Sequence, residues 1–160
     1  ADLKANLEGT PLVVIDRQIV NRRPPVKLDM LAVAANGGTA KLVAVELKRD
    51  LDNRIQHVPA QTLKYVEMLD PTGSGLRADI AHSYSRVCSQ LRALGFKACD
   101  PVLIQPGMPV VGLVALAAYN PKSKLLDRAL EAGRRLDRPI RFCQLDRDHL
   151  MLPPEGKWFN

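Results

Sequence analysis

The chain has no long hydrophobic segment. Its longest apolar run, Val110 to Ala118, is nine residues, far short of the roughly 20 residues that a helix needs to cross a bilayer. It also lacks an N-terminal pattern typical of a secretion signal. We therefore predict a cytoplasmic protein that does not enter membranes. The chain opens at Ala1 rather than at methionine, which fits a processed protein or a piece of a longer one.

Cysteine and histidine are scarce. The three cysteines are odd in number and form no CxxC pair, which excludes a disulfide framework and a zinc site of that kind. We expect buried, reduced thiols at Cys88, Cys99 and Cys143. The histidines form no HxxxH or HExxH motif, so surface or core positions are expected rather than metal ligands at His57, His82 and His149.

Length and charge favour one basic globular domain. The chain has 160 residues, 46% hydrophobic, and a net charge of +6, without an internal repeat. Between Arg22 and Lys64 it carries eight basic and four acidic residues. Such a balance favours anionic partners such as nucleic acid. A solvated charged surface is the alternative explanation.

Hydrophobic periodicity and turn residues predict an α/β fold with a mixed sheet. Residues 1–9 are expected to form the end of a helix closed by Gly9. The predicted strands cover residues 12–20, 26–35, 41–48, 102–104, 110–118 and 139–145. The predicted helices cover residues 59–69, 76–94 and 124–136.

The turn between strands 26–35 and 41–48 decides which side chains face each other. Asn36-Gly37-Gly38-Thr39 is a tight-turn signal, because successive glycines tolerate positive φ. With a two-residue or a four-residue loop, Asp29 lies opposite Glu46 and on the same face. A three-residue loop would put them on opposite faces unless a bulge intervenes. Lys48 shares a face with Glu46, since it comes two residues later.

Two opposed carboxylates repel each other and need a nearby cation. Lys48 supplies one charge, and a divalent metal would supply more. Asp29, Glu46 and a backbone carbonyl are hard oxygen ligands of the kind that Mg²⁺ binds. A metal there would favour hydrolysis of a phosphodiester. The spacing alone equally allows a cross-strand ion pair between Asp29 and Lys48 on a solvated face.

The same residues resemble the site of a known nuclease superfamily. Asp29, followed after sixteen residues by Glu46-Leu47-Lys48, resembles the PD-(D/E)xK motif. Gln61 and Tyr65 resemble the QxxxY helix motif of its RecB-like branches, and residues 12–69 are similar to the core of small archaeal-type endonuclease domains. The resemblance implies a single domain over residues 1–160 with a restriction-endonuclease-like core, a mixed central β-sheet flanked by helices.

The resemblance also implies a role for each residue of the motif. Asp29, Glu46 and the backbone carbonyl of Leu47 would bind Mg²⁺, with Mn²⁺ as a substitute. Lys48 would be the catalytic lysine. Asp29 and Glu46 would thereby count as both metal ligands and catalytic residues.

Further residues are expected around this centre. Gln61 and Tyr65 would support the site or touch the nucleic-acid backbone; helix-end polarity and a core-edge tyrosine are the alternatives. Arg49, Arg54 and Lys64 would contact phosphates, or else belong to a solvated surface.

The chain departs from the family pattern at three points. Leu28 stands where the motif has its proline, although many members lack that proline. Glu8 is the only nearby candidate for the acidic residue of the first helix, which looks incomplete, so a partner segment or an additional domain would be needed. Asp50 and Asp52 would bind a second metal or merely hydrate a loop.

These observations predict a divalent-metal-dependent DNA endonuclease, in DNA repair, restriction or mobile-element biology. RNA cleavage or exonucleolytic action on the same fold is one alternative. Another is a catalytically inactive nuclease-fold module that binds nucleic acid or mediates assembly. A third is an unrelated α/β domain with a fortuitous ion pair. A homodimer would suit cleavage of both strands.

Overall fold

A mixed sheet of five main strands, flanked by helices, forms the protein. The computed structural model describes residues 6–7, 10–22, 25–36, 39–49, 54–70, 74–95, 108–117, 122–138, 140–145 and 158–159. The main strands are β2 (Thr10–Arg22), β3 (Pro25–Asn36), β4 (Thr39–Arg49), β5 (Val110–Ala117) and β6 (Ile140–Leu145). Two-residue strands extend the sheet at its edges, β1 (Asn6–Leu7) beside β2 and β7 (Trp158–Phe159) beside β6. The helices are α1 (Val58–Leu69), α2 (Ser74–Ala93) and α3 (Lys124–Arg134), and a 3-10 turn, Ile55–His57, precedes α1.

The strands lie in the sheet in the order of the chain. β2, β3 and β4 are antiparallel neighbours, and β4, β5 and β6 run parallel. β4 is therefore central, with an antiparallel partner on one side and a parallel partner on the other. Its residues 42–46 are buried on both faces, as expected of a central strand.

The predicted strands and helices agree with these elements to within two residues at most ends, except at the chain's N-terminal end. The predicted helix over residues 1–9 is wrong at Asn6–Leu7, which pair with Thr10 and Pro11 as a short β-strand. Only two residues separate Leu7 from its partner Thr10, and glycine suits such a hairpin connection as well as a helix end. The predicted strand 102–104 lies outside the described residues.

Apolar side chains are buried on both faces of the sheet. One cluster joins all three helices to one face through residues such as Leu42, Val114, Val66, Tyr84 and Leu126. The second cluster lies on the opposite face and includes Ala34, Val43, Val45, Leu113 and Cys143. Glu46 follows the alternation of Leu42 and Ala44, so its side chain belongs to the face that carries the helices.

The scarce residue types lie as follows. Cys88 and Cys143 are buried free thiols, which confirms that prediction for these two, and burial raises the pKa of Cys143 to about 12. His57 and His82 are exposed, while Cys99 and His149 lie outside the described residues. None of the helices in the described part of the chain is apolar and long enough to span a membrane.

Gly112 allows α1 to lie close to β5. A Cβ atom at this position would be 2.4 Å from Ile140 Cδ1, 2.9 Å from Thr62 Cγ2 and 3.1 Å from Val66 Cγ2. The Ile140 methyl can rotate away, but Thr62 and Val66 are β-branched and stiff at χ1. Because Thr62 and Val66 each adjoin a residue of the QxxxY pair, this contact also sets the position of the candidate site.

Replacing Gly112 with alanine should therefore destabilise the fold. We expect the free energy of unfolding to fall by about 1–3 kcal/mol, the usual cost of overpacking a core. Urea denaturation monitored by circular dichroism measures it. Gly133→Ala is the control, because its Cβ would meet Phe142 Cε2 at 3.1 Å while gaining helix propensity. An equal loss in both variants would contradict the special role of Gly112.

Candidate functional site

The two acidic residues of the motif lie where β3 leaves β4. The ladder between these strands starts at Asn36 opposite Thr39 and ends at Met30 opposite Val45, in the predicted register. Asp29 and Glu46 are the next residue on each strand. At this point the Leu47 backbone N–H donates to Asp29 Oδ2 at 2.9 Å. The Leu47 amide thus donates to the Asp29 side chain. If the β3–β4 ladder continued, this amide would donate to a backbone carbonyl of β3 instead.

The backbone of Leu47 faces this same edge. In a β-strand, the N–H and C=O of one residue point to the same side. Leu42 lies five residues before Leu47, so its backbone groups point to the opposite side of β4. Its N–H donates to the Pro109 carbonyl on the β5 side at 2.9 Å. The amide of Leu47 reaches Asp29 on the opposite, β3 side. The carbonyl predicted as a metal ligand is therefore directed to the edge that holds Asp29.

The carboxylate of Glu46 is buried and only half satisfied. The residue is 2% exposed. Its Oε1 lies 2.8 Å from Lys48 Nζ and accepts from Gln61 Nε2 at 3.1 Å. Its Oε2 is buried without a hydrogen-bond partner. A buried carboxylate oxygen left unpaired is costly, so this atom marks the place where a cation would be stabilised.

The environment of Glu46 raises the pKa of its carboxyl above the ordinary value. Burial is the largest cause that raises the pKa of this carboxyl, and the charge of Asp29 raises it further. Hydrogen bonding and charge from Lys48 and, to a smaller extent, the Tyr65 hydroxyl act in the opposite direction. Lys48 therefore offsets the desolvation only in part, and the ammonium, 17% exposed at its side chain, is held against the carboxylate.

Gln61 and Tyr65 connect Glu46 to the backbone of β3. Gln61 Nε2 donates to Glu46 Oε1 and also to the Tyr65 hydroxyl at 2.7 Å. Tyr65 in turn donates to the carbonyl of Lys27. Each donor hydrogen has one acceptor in this chain, because the amide carries two hydrogens and the hydroxyl one. The structure therefore joins both residues to Glu46, and the supporting role of the pair stays a prediction.

The predicted phosphate-binding residues are exposed. Arg49 ends β4, Arg54 precedes the 3-10 turn, and Lys64 lies on α1 beside Tyr65. Their contact with nucleic acid stays a prediction. Asp50 and Asp52 lie outside the described residues. Within the described ranges, no group of three histidine, cysteine, aspartate or glutamate side chains is arranged to hold a metal.

Two features of the site were not found from the sequence. The carbonyl of Lys27 accepts from Tyr65, and backbone acceptors leave no signal in residue type. Gln18, which is flanked by the pairs Arg17–Met30 and Ile19–Leu28, adopts a positive φ of 54°. That register places it beside Asp29. Positive φ is uncommon outside glycine, asparagine and aspartate, so a glutamine gives no warning of it.

Comparison with known proteins adds no relative to this description. The chain matches no family model, no curated protein and no solved structure. The restriction-endonuclease-like assignment therefore stays a prediction from the motif residues. The α/β architecture with a mixed sheet and flanking helices is a property of the structure itself.

Removing the Tyr65 hydroxyl should weaken metal binding as well as stability. Tyr65→Phe leaves the Lys27 carbonyl and one Gln61 hydrogen without their partner, at a cost of about 1–3 kcal/mol in unfolding free energy. Because Gln61 then loses its orientation, Mn²⁺ affinity should fall about 10- to 100-fold, as for other residues that orient ligands. Calorimetric titration measures it.

Thr62→Val provides the control for that experiment. Its hydroxyl donates to the Val58 carbonyl within α1 at 2.9 Å and not to Glu46. It should change stability while leaving Mn²⁺ affinity intact. An equal loss of Mn²⁺ affinity in both variants would mean that the packing of α1 holds Glu46 in place, and not the hydrogen bonds through Gln61 and Tyr65.

Metal affinity should depend on pH through Glu46. A metal ligand must be deprotonated, and the raised pKa of Glu46 places this loss of affinity above the usual range for glutamate. We expect Mn²⁺ affinity to fall by about tenfold per pH unit below that pKa. Without metal, the stability of the fold depends on pH in the opposite direction. The folded state binds the Glu46 proton more tightly than the unfolded state does. The free energy of unfolding therefore declines as the pH rises from the ordinary glutamate pKa through the folded pKa.

Titrations of Mn²⁺ between about pH 5 and about pH 8 test this dependence. Zinc and other metals that prefer nitrogen or sulfur ligands are excluded from the assay. Affinity that stays constant over this whole pH range would show that Glu46 does not bind the metal.

Proposed function

We propose that this protein is a divalent-metal-dependent DNA endonuclease that hydrolyses phosphodiester bonds. The observation that carries the proposal is the buried, unpartnered Oε2 of Glu46, on a carboxylate whose other oxygen already has two donors. This asymmetry favours a cation at one defined atom. Asp29 and the Leu47 carbonyl supply further oxygens at the same edge of β4.

The donor set fits Mg²⁺, or Mn²⁺ as a substitute. Carboxylate and carbonyl oxygens are hard ligands, and Mg²⁺ keeps several waters when it has few protein ligands. Two carboxylates and one carbonyl are therefore enough for a metal that also contacts substrate phosphate. When bound, Mg²⁺ supplies a polarised phosphoryl oxygen and a water of lowered pKa.

Lys48 contributes the positive charge of the protein itself. Its ammonium is held 2.8 Å from Glu46 Oε1 and so remains at the edge where a phosphate would lie. There it can stabilise the negative charge that develops on phosphate oxygens during hydrolysis. Gln61 fixes the rotation of the Glu46 carboxylate and keeps Oε2 directed away from the two donors.

DNA is the proposed substrate because of the charge of the chain and its exposed cations. The net charge is +6, and the predicted phosphate-binding residues Arg49, Arg54 and Lys64 are exposed. Basic residues that contact phosphates supply most of the sequence-independent affinity for nucleic acid. Action in repair or restriction, and a two-fold dimer for cutting both strands, belong to the same proposal.

A cleavage panel tests the proposal. Supercoiled plasmid, linear duplex, branched DNA, single-stranded DNA and an RNA of matched sequence are incubated with Mg²⁺, Mn²⁺ or EDTA. We expect metal-dependent nicking of the closed plasmid, which only an endonuclease can produce. DNA binding without cleavage under any metal would favour the inactive nucleic-acid-binding module instead. Cleavage of RNA alone would overturn the choice of substrate.

A further inference from the structure

Beyond the candidate site, β2 and β3 continue as a two-stranded ribbon. Residues 25–28 of β3 have β2 as their partner in the described sheet, whereas β4 continues along β5 to Arg49 opposite Ala117. Four pairs make up the ribbon, from Ile19–Leu28 to Arg22–Pro25. At about 3.3 Å per residue, its length is about 13 Å.

Two irregularities mark the base of this ribbon. The register of β2 against β3 shifts between Val14 and Asp16, which leaves Ile15 as an extra residue. Gln18 follows with a φ of 54°. A β-bulge bends its strand and increases the local twist, and a residue in the left-handed region changes the direction of the chain. The pairing of β3 with β4 ends next to these two features. We attribute the divergence of the ribbon from β4 to them.

Residues 17–28, which lie between Asp16 and Asp29 in the sequence, have charge of one sign. Residues 17–28, with the sequence RQIVNRRPPVKL, contain four basic residues and no acidic one. Arg17 and Lys27 are exposed. Arg22 ends β2 at the far end of the ribbon, and Arg23 follows it in the sequence. A run without acidic residues cannot be neutralised within the ribbon, and this favours a polyanion as its partner.

We propose that the β2–β3 ribbon, residues 19–22 and 25–28, is a DNA-binding arm that enters a groove of duplex DNA next to the cleavage site. The inference depends on the proposed function for its choice of polyanion. A two-stranded ribbon fits the major groove, which is about 12 Å wide. Asp29 directly follows the ribbon in β3, so the arm holds the phosphate backbone beside the carboxylates.

Binding of a labelled duplex of about 20 base pairs, without divalent metal, tests the arm. The variant Arg22→Gln/Arg23→Gln/Lys27→Gln removes three of the four cations in the sequence of residues 17–28. We expect its Kd to rise at least about tenfold and the slope of log K against log salt to become less negative by about 2 to 3, near 0.9 per lost phosphate contact. Fluorescence anisotropy at several salt concentrations measures both values.

The matched control removes three exposed cations from the helices: Arg86→Gln/Arg128→Gln/Arg134→Gln. It changes net charge equally, so a similar loss of affinity in both triple variants would overturn the arm. If the ribbon triple variant fails to fold, the single variant Lys27→Gln tests the arm in the same binding experiment. Lys27 is exposed and its carbonyl contact with Tyr65 uses backbone. Its slope should change by about 1, and an unchanged slope would overturn the proposal.

The failures of the two proposals are distinguishable. Wild-type protein that binds duplex through the ribbon but cleaves nothing would support the arm and contradict the nuclease. Metal-dependent cleavage, with no effect of the ribbon substitutions on DNA binding, would support the nuclease and contradict the arm. Preference for an RNA duplex of the same sequence over DNA would overturn the ligand assigned to the ribbon.

Discussion

Replacing Glu46 with glutamine is expected to abolish metal-dependent cleavage. The glutamine keeps an oxygen that can accept from Gln61 and Lys48, as Oε1 does. It also offers an amide NH₂ where the unpartnered Oε2 lies, and this group donates hydrogens and repels a cation. We expect the cleavage rate to fall by about 10³-fold.

The same substitution should remove the stabilisation of the fold by metal. Any ligand that binds only the native state raises its stability by RT ln(1 + [L]/Kd), about 2.7 kcal/mol at 100 times Kd. Wild-type protein should therefore show a higher Tm in Mn²⁺ than in EDTA, and Glu46→Gln should not. Thermal unfolding by differential scanning fluorimetry measures the difference.

Glu67→Gln is the matched control for both readouts. Glu67 lies on α1, is exposed and has the same chemistry, but it is not part of the site. Cleavage and metal stabilisation should both be retained. A Glu46→Gln protein that still cleaves at the wild-type rate would exclude Glu46 as a metal ligand and contradict the proposed function.

Replacing Lys48 with methionine is expected to separate metal binding from cleavage. Methionine keeps most of the aliphatic length while removing the ammonium that lies against Glu46 Oε1. Loss of the cation removes charge stabilisation of the transition state, so kcat should fall by about 10²- to 10³-fold. The two carboxylates remain, so Mn²⁺ should still bind near neutral pH.

The pH dependence of this variant adds a second expectation. Lys48 lowers the pKa of Glu46 through its hydrogen bond and its charge. Without it, the pKa of Glu46 rises further, and Mn²⁺ binding should weaken at a higher pH than in the wild type. Lys124→Met, at an exposed position of α3, should change neither property. Full kcat in Lys48→Met would exclude the lysine from the chemistry.

The hairpin at the centre of the site could be predicted from the sequence because its determinants are local. The Asn-Gly-Gly-Thr turn and the alternation of the two strands fix the pairing of Asn36 with Thr39 and of Met30 with Val45. The same-face placement of Glu46 and Lys48 follows from the period of a strand. α1 was predictable for a similar reason, since proline near its start and Asp70-Pro71 after its end are local signals.

The arrangement of charges within the site was beyond sequence patterns because it depends on distant contacts. The burial of Glu46 under Gln61 requires the close approach of α1 to β5, and a glycine far along the chain, Gly112, permits it. The hydrogen bond from Leu47 to Asp29 requires β3 to leave β4. Next to this point, Gln18 of β2 adopts a left-handed backbone conformation. A glutamine in the sequence does not predict that conformation.

The sheet order has a consequence for how the protein folds. Each strand neighbours the one before it in the chain, so β2, β3 and β4 form a meander with contacts of short sequence separation, and such contacts form early because little loop entropy is lost. Asp29, Glu46 and Lys48 all lie in the β3–β4 hairpin. Mutual repulsion of the two acids would oppose the closing of this hairpin, but Lys48 arrives in the same strand as Glu46. The charge that compensates Glu46 is thereby contained in the hairpin itself and does not depend on α1.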